Sequence, residues 1–195
     1  MEPIILASAS LRRQEYFKLL ALPFSIMPAR IDETPPAVID PQKFTADLAV
    51  RKVKKVIDTM SSRLPYWICG ADTVVTLNGE VFGKPLNRDE AKSTLTRLSG
   101  REHEVVTSMA LYNRRKDKID CRSVSCFVDF APFSDEEIEW YLNTSEWQGV
   151  AGAYRIQGIA ACFINSIKGC PSTVVGLPLR EFYVMLRDNG YPYGG

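Results

Sequence analysis

Trp67-Ile68-Cys69-Gly70-Ala71-Asp72-Thr73-Val74-Val75-Thr76-Leu77, followed by Asn78-Gly79 and Glu80-Val81-Phe82, is the stretch that decides the fold. Its first part is rich in the apolar and β-branched side chains of a buried strand. Asn-Gly is the strongest short hairpin signal, because a two-residue turn needs residues that tolerate positive φ. Residues 67–77 and 80–82 are therefore expected to pair. One residue sits badly in this run. Asp72 interrupts apolar neighbours, and an ionised carboxylate there is costly unless it is paired or bound to a metal. Gly70 and Ala71 leave open space beside it. Asp72 is thus a candidate general base, or a ligand for a water-bearing cation. The alternative is a structural aspartate capping a backbone turn.

Working outward from the hairpin, Pro3 to Ala7 reads as a short buried strand and Leu11 to Leu20 as a helix. Thr34-Pro35-Pro36 breaks the chain. A second helix is expected from Gln42 to Met60, burying Leu48, Ala49, Val53, Val56, Ile57 and Met60. Asn87 caps a helix from Arg88 to Leu98, with Glu90 at its third position and Gly100 just past its end. Glu104 to Tyr112 and Asp120 to Phe130 are strand-like. Ser134 and Glu137 form a capping box before a helix that runs through Leu142. A glycine-rich loop spans Gly149 to Gly158. Ala160 to Ile167 and Thr173 to Val175 read as strands, and Leu179 to Asp188 as a final helix. The mixture implies an α/β fold with a mixed, curved sheet flanked by helices. A length of 195 residues fits one large domain, or two lobes sharing a core around a cleft.

An apolar share of 46% is enough to bury a core without disulfide or metal staples. Lys+Arg 24 against Asp+Glu 23 leaves no broad basic surface for nucleic acid, so any anion site must be local. Residues 1–6 lack a basic region before their apolar run, and no stretch approaches the roughly 20 apolar residues that cross a bilayer. A cytoplasmic location without membrane contact is expected. The five cysteines are odd in number and form no C-x-x-C pair, as in a reducing compartment. His103 is the only histidine. That excludes a multi-histidine zinc centre, so any metal must have oxygen ligands, which suits Mg²⁺ or Mn²⁺.

Several other charges stand in unusual places. Ser8-Ala9-Ser10-Leu11-Arg12-Arg13 joins the first strand to the first helix, and two arginines there oppose the helix dipole. The placement makes sense if an anion is held by free N–H groups, serine hydroxyls and guanidinium forks. Two solvated arginines after a serine cap is the other reading. Lys52 lies at the edge of the second helix's apolar stripe, as a snorkelling lysine also would. Gly83-Lys84-Pro85 could return an ammonium toward Asp72, or leave it exposed at a turn. Glu33, on the loop before the double proline, is a candidate second metal ligand or a solvated acid. Gln157 offers a donor and an acceptor together, as reading a base edge requires, although such loops can be plain connectors.

In their order and spacing these stretches resemble the Maf family, whose members are similar in fold to the inosine triphosphate pyrophosphatases. The matching pieces are Leu6 to Ser10 with Arg12-Arg13, Asp32-Glu33, Lys52, Gly70 to Val75, Phe82 to Pro85, Leu98 to Gly100 with His103, Gly152 to Tyr154 with Ile156 to Gly158, and Val175 to Leu179. The resemblance covers residues 4–187. It implies a divalent-cation-dependent nucleoside triphosphate pyrophosphatase, usually a homodimer. By position it makes Asp72 the proton acceptor and marks Arg12, Thr73 and Gln157 as setting substrate choice. Ser8, Ser10, Arg13, Lys52 and Lys84 fall around the phosphates, with Glu33 near the metal. Ala71-Asp72-Thr73 and Ile156-Gln157-Gly158 are similar to the branch acting on dTTP and UTP. The sister branch acts on 7-methyl-GTP, and a regulatory role in septum formation through binding alone is the rival of another class. Leu11, Val53 and Cys170-Pro171-Ser172 depart from the family's usual residues and bear on specificity and loop geometry.

Overall fold

The computed structural model describes residues 1–35, 40–60 and 65–193. Pro36, half of the expected chain break, lies outside them. The strands are β1 (Ile4–Leu6), β2 (Phe24–Ile26), β3 (Trp67–Leu77), β4 (Glu80–Phe82), β5 (Glu102–Asn113), β6 (Lys118–Phe130) and β7 (Ile164–Lys168). The helices are α1 (Leu11–Leu19), α2 (Pro41–Met60), α3 (Arg88–Leu98), α4 (Asp135–Asn143), α5 (Pro171–Val175) and α6 (Leu179–Asn189). The strands form one mixed sheet in the order β2-β1-β3-β5-β6-β7, with β4 also paired to β3. β1 runs parallel to β2 and β3, and every other pairing is antiparallel.

β3 organises the molecule. Along one edge it pairs with β5 from Trp67 opposite Asn113 to Thr76 opposite Glu104. Its other edge is shared. β1 pairs only as far as Cys69, and β4 begins only at Val75. Between them, residues 70–74 have a strand on one side alone among the described residues. The chain leaves β1 into the Ser8-to-Arg13 turn here, and leaves β4 into Gly83-Lys84. A break in strand pairing thus creates the opening into which the polar residues project.

Side chains along β3 alternate between faces, as the pleat requires. Trp67, Cys69 and Ala71 join Ile4, Leu6, Phe17, Phe182 and Met185 in a core beneath α1 and α6. Ile68 packs with Ala49, Val53 and Val56 of α2 on the opposite face. Past the polar region, Val75 enters a third cluster with Leu95, Leu98, Phe130 and Tyr141, under α3 and α4. Asp72 and Thr73 lie on opposite faces where these cores meet.

The expected caps form. Asn87 accepts from the Glu90 amide, and Ser134 and Glu137 make a reciprocal capping box. Three readings need correction. Residues 159–163 are a 3-10 helix, so the strand expected from Ala160 begins only at Ile164. Thr173 to Val175 belongs to α5, where Pro171 starts the turn and Gly176, at φ 111°, ends it. A β-branched run is helical here because the proline and glycine at its ends outweigh β propensity. Phe24–Ile26, read as no element, is an edge strand whose partly exposed residues show no alternation.

Gly70 sets the approach of α2 to the sheet. A Cβ placed on it would lie 2.6 Å from the Ala49 carbonyl oxygen and 3.0 Å from a Val53 methyl carbon. Since the obstruction is helix backbone, Gly70→Ala must push α2 outward. Its expected effect is a loss of about 2 kcal/mol of stability, or about 4–8 °C in Tm for a chain of this size. Thermal unfolding measures it, and an unchanged Tm would show that α2 is not held so closely.

Candidate active site

A cavity of about 980 Å³ opens at the gap in the β3 edge. Ser8, Ser10, Arg12, Arg13, Glu33, Lys52, Asp72, Thr73, Lys84 and Gln157 all line it. Ten residues from six separate stretches of sequence therefore converge on one space.

Lys52 and Asp72 are its centre. Lys52, at 5% exposure, does not reach for solvent as a snorkelling lysine would. Its ammonium donates to Asp72 Oδ1 at 2.6 Å, Glu33 Oε1 at 2.8 Å and the Ala71 carbonyl at 3.3 Å. All three of its N–H donors thus have acceptors. Asp72 projects from the middle of β3 rather than capping a turn, and it is almost as buried. Lys84 adds an exposed ammonium 2.9 Å from Glu33 Oε2. Burial raises the Glu33 carboxyl, but Lys52 and then Lys84 outweigh that effect and hold it at about 2. The Glu33 loop is itself anchored. Arg51 on α2 donates to the Asp32 carbonyl, and the Asp32 carboxylate accepts from the Thr34 amide.

Arg13 differs from the free fork read in the sequence. It is buried, and donates to the Gly176 carbonyl at 2.8 Å, Ser8 Oγ at 3.1 Å and Thr73 Oγ1 at 3.1 Å. It braces α1 against β3 and the turn after α5. Burial pushes its guanidinium down, and Asp72 is the strongest charge opposing that. The relay continues through Thr73 Oγ1 and Thr107 Oγ1, 2.8 Å apart, to the Thr173 carbonyl, 2.7 Å from Thr107. That carbonyl can only accept, so the Thr107 proton points to it. Thr107 must then accept from Thr73, whose own oxygen accepts from Arg13. The direction of every hydroxyl is fixed, which leaves Thr73 with no proton for a ligand.

Ser10 stands at the start of α1 without capping it, so its hydroxyl is uncommitted there. Arg12 reaches the Val175 carbonyl only at 3.4 Å. Burial first, then Arg13 and Arg155, lower its guanidinium to about 10. Gln157 is exposed at the cavity wall. Its loop is tied to the hairpin exit through the Gly152 amide, which donates to the Gly83 carbonyl at 3.1 Å.

Arg30 and Arg155 also line the cavity, and neither was singled out from the sequence. The signal for Arg155 was a lone charge between Tyr154 and Ile156 in the glycine-rich loop. His103 lies behind the wall. Its Nε2 is 2.8 Å from the hydroxyl of Tyr154, a lining residue, and burial lowers the imidazole to about 4. The lining therefore holds Arg12, Arg13, Arg30, Lys52, Lys84 and Arg155 against only Glu33 and Asp72. In a chain of net charge +1, this is a local concentration of positive charge.

The described residues include no group of three acidic, histidine or cysteine side chains able to enclose a metal. One or two carboxylates completed by substrate phosphates is, however, a common way to hold Mg²⁺. Asp72 and Glu33, joined through Lys52, fit that donor set. Among the described residues no helix is long and apolar enough to cross a membrane.

Residues 3–189 match the family model described as Maf-like protein. The chain is 42% identical over 191 residues to the dTTP/UTP pyrophosphatase of Pelotomaculum thermopropionicum, covering 98% of both chains. It is 45% identical over 193 residues to the dTTP/UTP pyrophosphatase of Symbiobacterium thermophilum, covering 98% of this chain and 96% of that one. Among solved structures, the Ham1 protein of Staphylococcus aureus overlaps it at a TM-score of 0.43 and 12% identity, over 67% of this chain and 72% of that one. That overlap is partial.

His103 gives stability a defined pH response. Its folded value, about 4, lies below the ordinary 6.5, so the folded chain resists a proton that the unfolded chain accepts. The contribution is whole above pH 6.5 and fades as pH falls from there toward 4. In His103→Gln, which cannot titrate, the stability difference from wild type should change by about 2 kcal/mol between about pH 7.5 and pH 4.5. Urea unfolding at the two pH values measures it. A constant difference would mean that the imidazole is not desolvated.

Proposed function

The chain belongs to the Maf-like family, and from that premise we propose that its cavity hydrolyses dTTP and UTP to the nucleoside monophosphate and pyrophosphate. The observation that carries this reading is Asp72, a buried carboxylate on the wall of a cavity whose other charges are mostly cationic. A polyphosphate offsets that excess of positive charge, and an acid beside it can manage water. The two relatives above, alike over nearly their whole length, are dTTP/UTP pyrophosphatases.

In this reading Lys52 occupies Asp72 Oδ1 and leaves Oδ2 to orient water. Asp72 takes the proton as the water oxygen bonds to the α-phosphorus. The bond from that phosphorus to the bridging oxygen breaks, and the oxygen leaves with pyrophosphate. Lys52 and Lys84 add positive charge along the tail, with Ser8 and Ser10 near the turn. Arg13 acts mainly by holding Thr73 and Ser8 in place. Asp72 and Glu33 would hold a divalent cation, Mg²⁺ or Mn²⁺, together with phosphate oxygens, and that ion would supply charge neutralisation. Phosphoryl transfer depends on alignment and neutralisation more than on an unusual nucleophile, so a single acid suffices. Arg12, Thr73 and Gln157 would set base choice. Because the Thr73 proton is already committed, Thr73 would act there by shape and as an acceptor. The enzyme is read as one domain whose cleft separates two lobes. A homodimer and a cytoplasmic location complete the proposal, supported by family resemblance and composition.

Asp72→Asn keeps the shape and removes the base. We expect turnover of dTTP and UTP to fall by about 10²–10⁴-fold, with nucleotide affinity retained within a few-fold. A pyrophosphate-release assay with Mg²⁺ or Mn²⁺ over dTTP, UTP and 7-methyl-GTP measures both rate and specificity. Orthophosphate as first product, near-normal turnover in the variant, or preference for 7-methyl-GTP would each overturn the assignment.

A further inference from the structure

Both oxygens of the Glu33 carboxylate are held by ammonium groups. Oε1 accepts from Lys52 Nζ at 2.8 Å, and Oε2 accepts from Lys84 Nζ at 2.9 Å. All three residues line the cavity. One anion bracketed by two ammonium groups is also the arrangement that a phosphate group would form there. The donor count gives this likeness a consequence. Lys52 has three N–H donors, and Asp72 Oδ1, Glu33 Oε1 and the Ala71 carbonyl take all of them. For Lys52 to bond a phosphate oxygen, one of these acceptors must let go. Asp72 and Ala71 are fixed within β3, and both are paired with β5. Glu33 comes from a loop, and its side chain is 37% exposed against 9% for Asp72. Its second partner, Lys84, is more exposed still, and a pair so open to water is weak. Glu33 is therefore the partner that can leave.

We propose that the Glu33 carboxylate is an internal competitor of the polyphosphate, holding Lys52 and Lys84 until an incoming anion takes them over. This rests on the pyrophosphatase reading and deepens it, since it says what the substrate must displace. The exchange leaves no charge stranded. A phosphate oxygen replaces Glu33 Oε1 as the third acceptor of Lys52, so the buried ammonium stays fully bonded beside Asp72. The released carboxylate is then free to face a divalent cation, the role given to it above. The competitor has a purpose in the folded chain. Without it the buried Lys52 would lack an acceptor, and the two ammonium groups would bind any passing anion more readily. Affinity for anions is thereby lowered in general, and the loss is recovered only by a ligand that offers Glu33 a new partner. Binding of polyphosphate and of a divalent cation are coupled in this way, each helping the other.

Isothermal titration with inorganic pyrophosphate, in buffer freed of metal by a chelator, tests this directly. In Glu33→Gln, which keeps the shape and removes the charge, the pyrophosphate Kd should fall about tenfold, the gain expected when one charge-assisted hydrogen bond no longer has to be broken. Damage to the site would weaken binding, so a gain cannot come from it. Asp32→Asn is the control for net charge, because the Asp32 carboxylate accepts from the Thr34 amide and is not part of the cavity wall. Its Kd should stay within about twofold of wild type. In a Lys84→Gln background the gain from Glu33→Gln should shrink, since one of the two contested ammonium groups is gone. Unchanged or weaker binding in Glu33→Gln overturns the proposal, and so does an equal gain in Asp32→Asn. If Glu33→Gln does not fold, Glu33→Asp, too short to span both ammonium groups, carries the same comparison with a smaller gain. The outcome is separable from the parent reading. Tighter pyrophosphate binding in the variant, with UTP and dTTP left intact by wild type, would remove the enzyme assignment and keep the competitor.

Discussion

One buried ammonium governs the site. Lys52 is almost fully withdrawn from water, and a charge so placed costs several kcal/mol unless partners surround it. Asp72, Glu33 and the Ala71 carbonyl supply them. Each comes from a different constraint. Asp72 and Ala71 are carried by the central strand, and Glu33 by a loop that Arg51 ties back to α2. Gly70 lets α2 lie close enough for the lysine to reach all three. If any of these were displaced, the ammonium or a carboxylate would be stranded, and the geometry around Asp72 would be lost with it.

The same economy of placement explains where the cavity lies. A central strand normally has neighbours on both edges, and β3 does for most of its length. Along residues 70–74 one edge is open, because β1 stops and β4 has yet to start. Backbone and side chains there can meet a ligand from either face of the sheet. Asp72 on the α2 side and Thr73 on the opposite side therefore line a single space. Arg13 and the hydroxyl relay through Thr107 hold that space open by joining α1, β3, β5 and α5. The open edge is a weak point in the sheet, and the polar network is what closes it.

Much of this was legible before any coordinates. Asn78-Gly79 announced the hairpin, and Asn87 and Ser134 announced helix starts, because turns and caps depend on the chemistry of a few adjacent residues. Asp72 stood out because a carboxylate in an apolar strand demands an explanation. What was misread has two causes, one local and one tertiary. Thr173 to Val175 was judged by side-chain type when its ends decided its conformation. Phe24 to Ile26 is a strand only because β1 lies beside it. Lys52 showed an ambiguous position on its helix, and only the sheet beneath reveals that its ammonium turns inward.

The amino-acid sequence by itself determined the α/β class, the central hairpin, most helix boundaries and a set of polar residues in costly or unusual places. Family resemblance then attached an activity to that set. Tertiary structure alone decided how those residues divide their work. It joined Lys52 to Asp72 and Glu33, turned Arg13 from a free cation into a brace, fixed the Thr73 proton, and set Glu33 between two ammonium groups. The reason is physical. Strand and helix patterns follow from neighbours along the chain, whereas the partner of a charge or hydroxyl is set by segments distant in sequence, which meet only once the sheet has assembled.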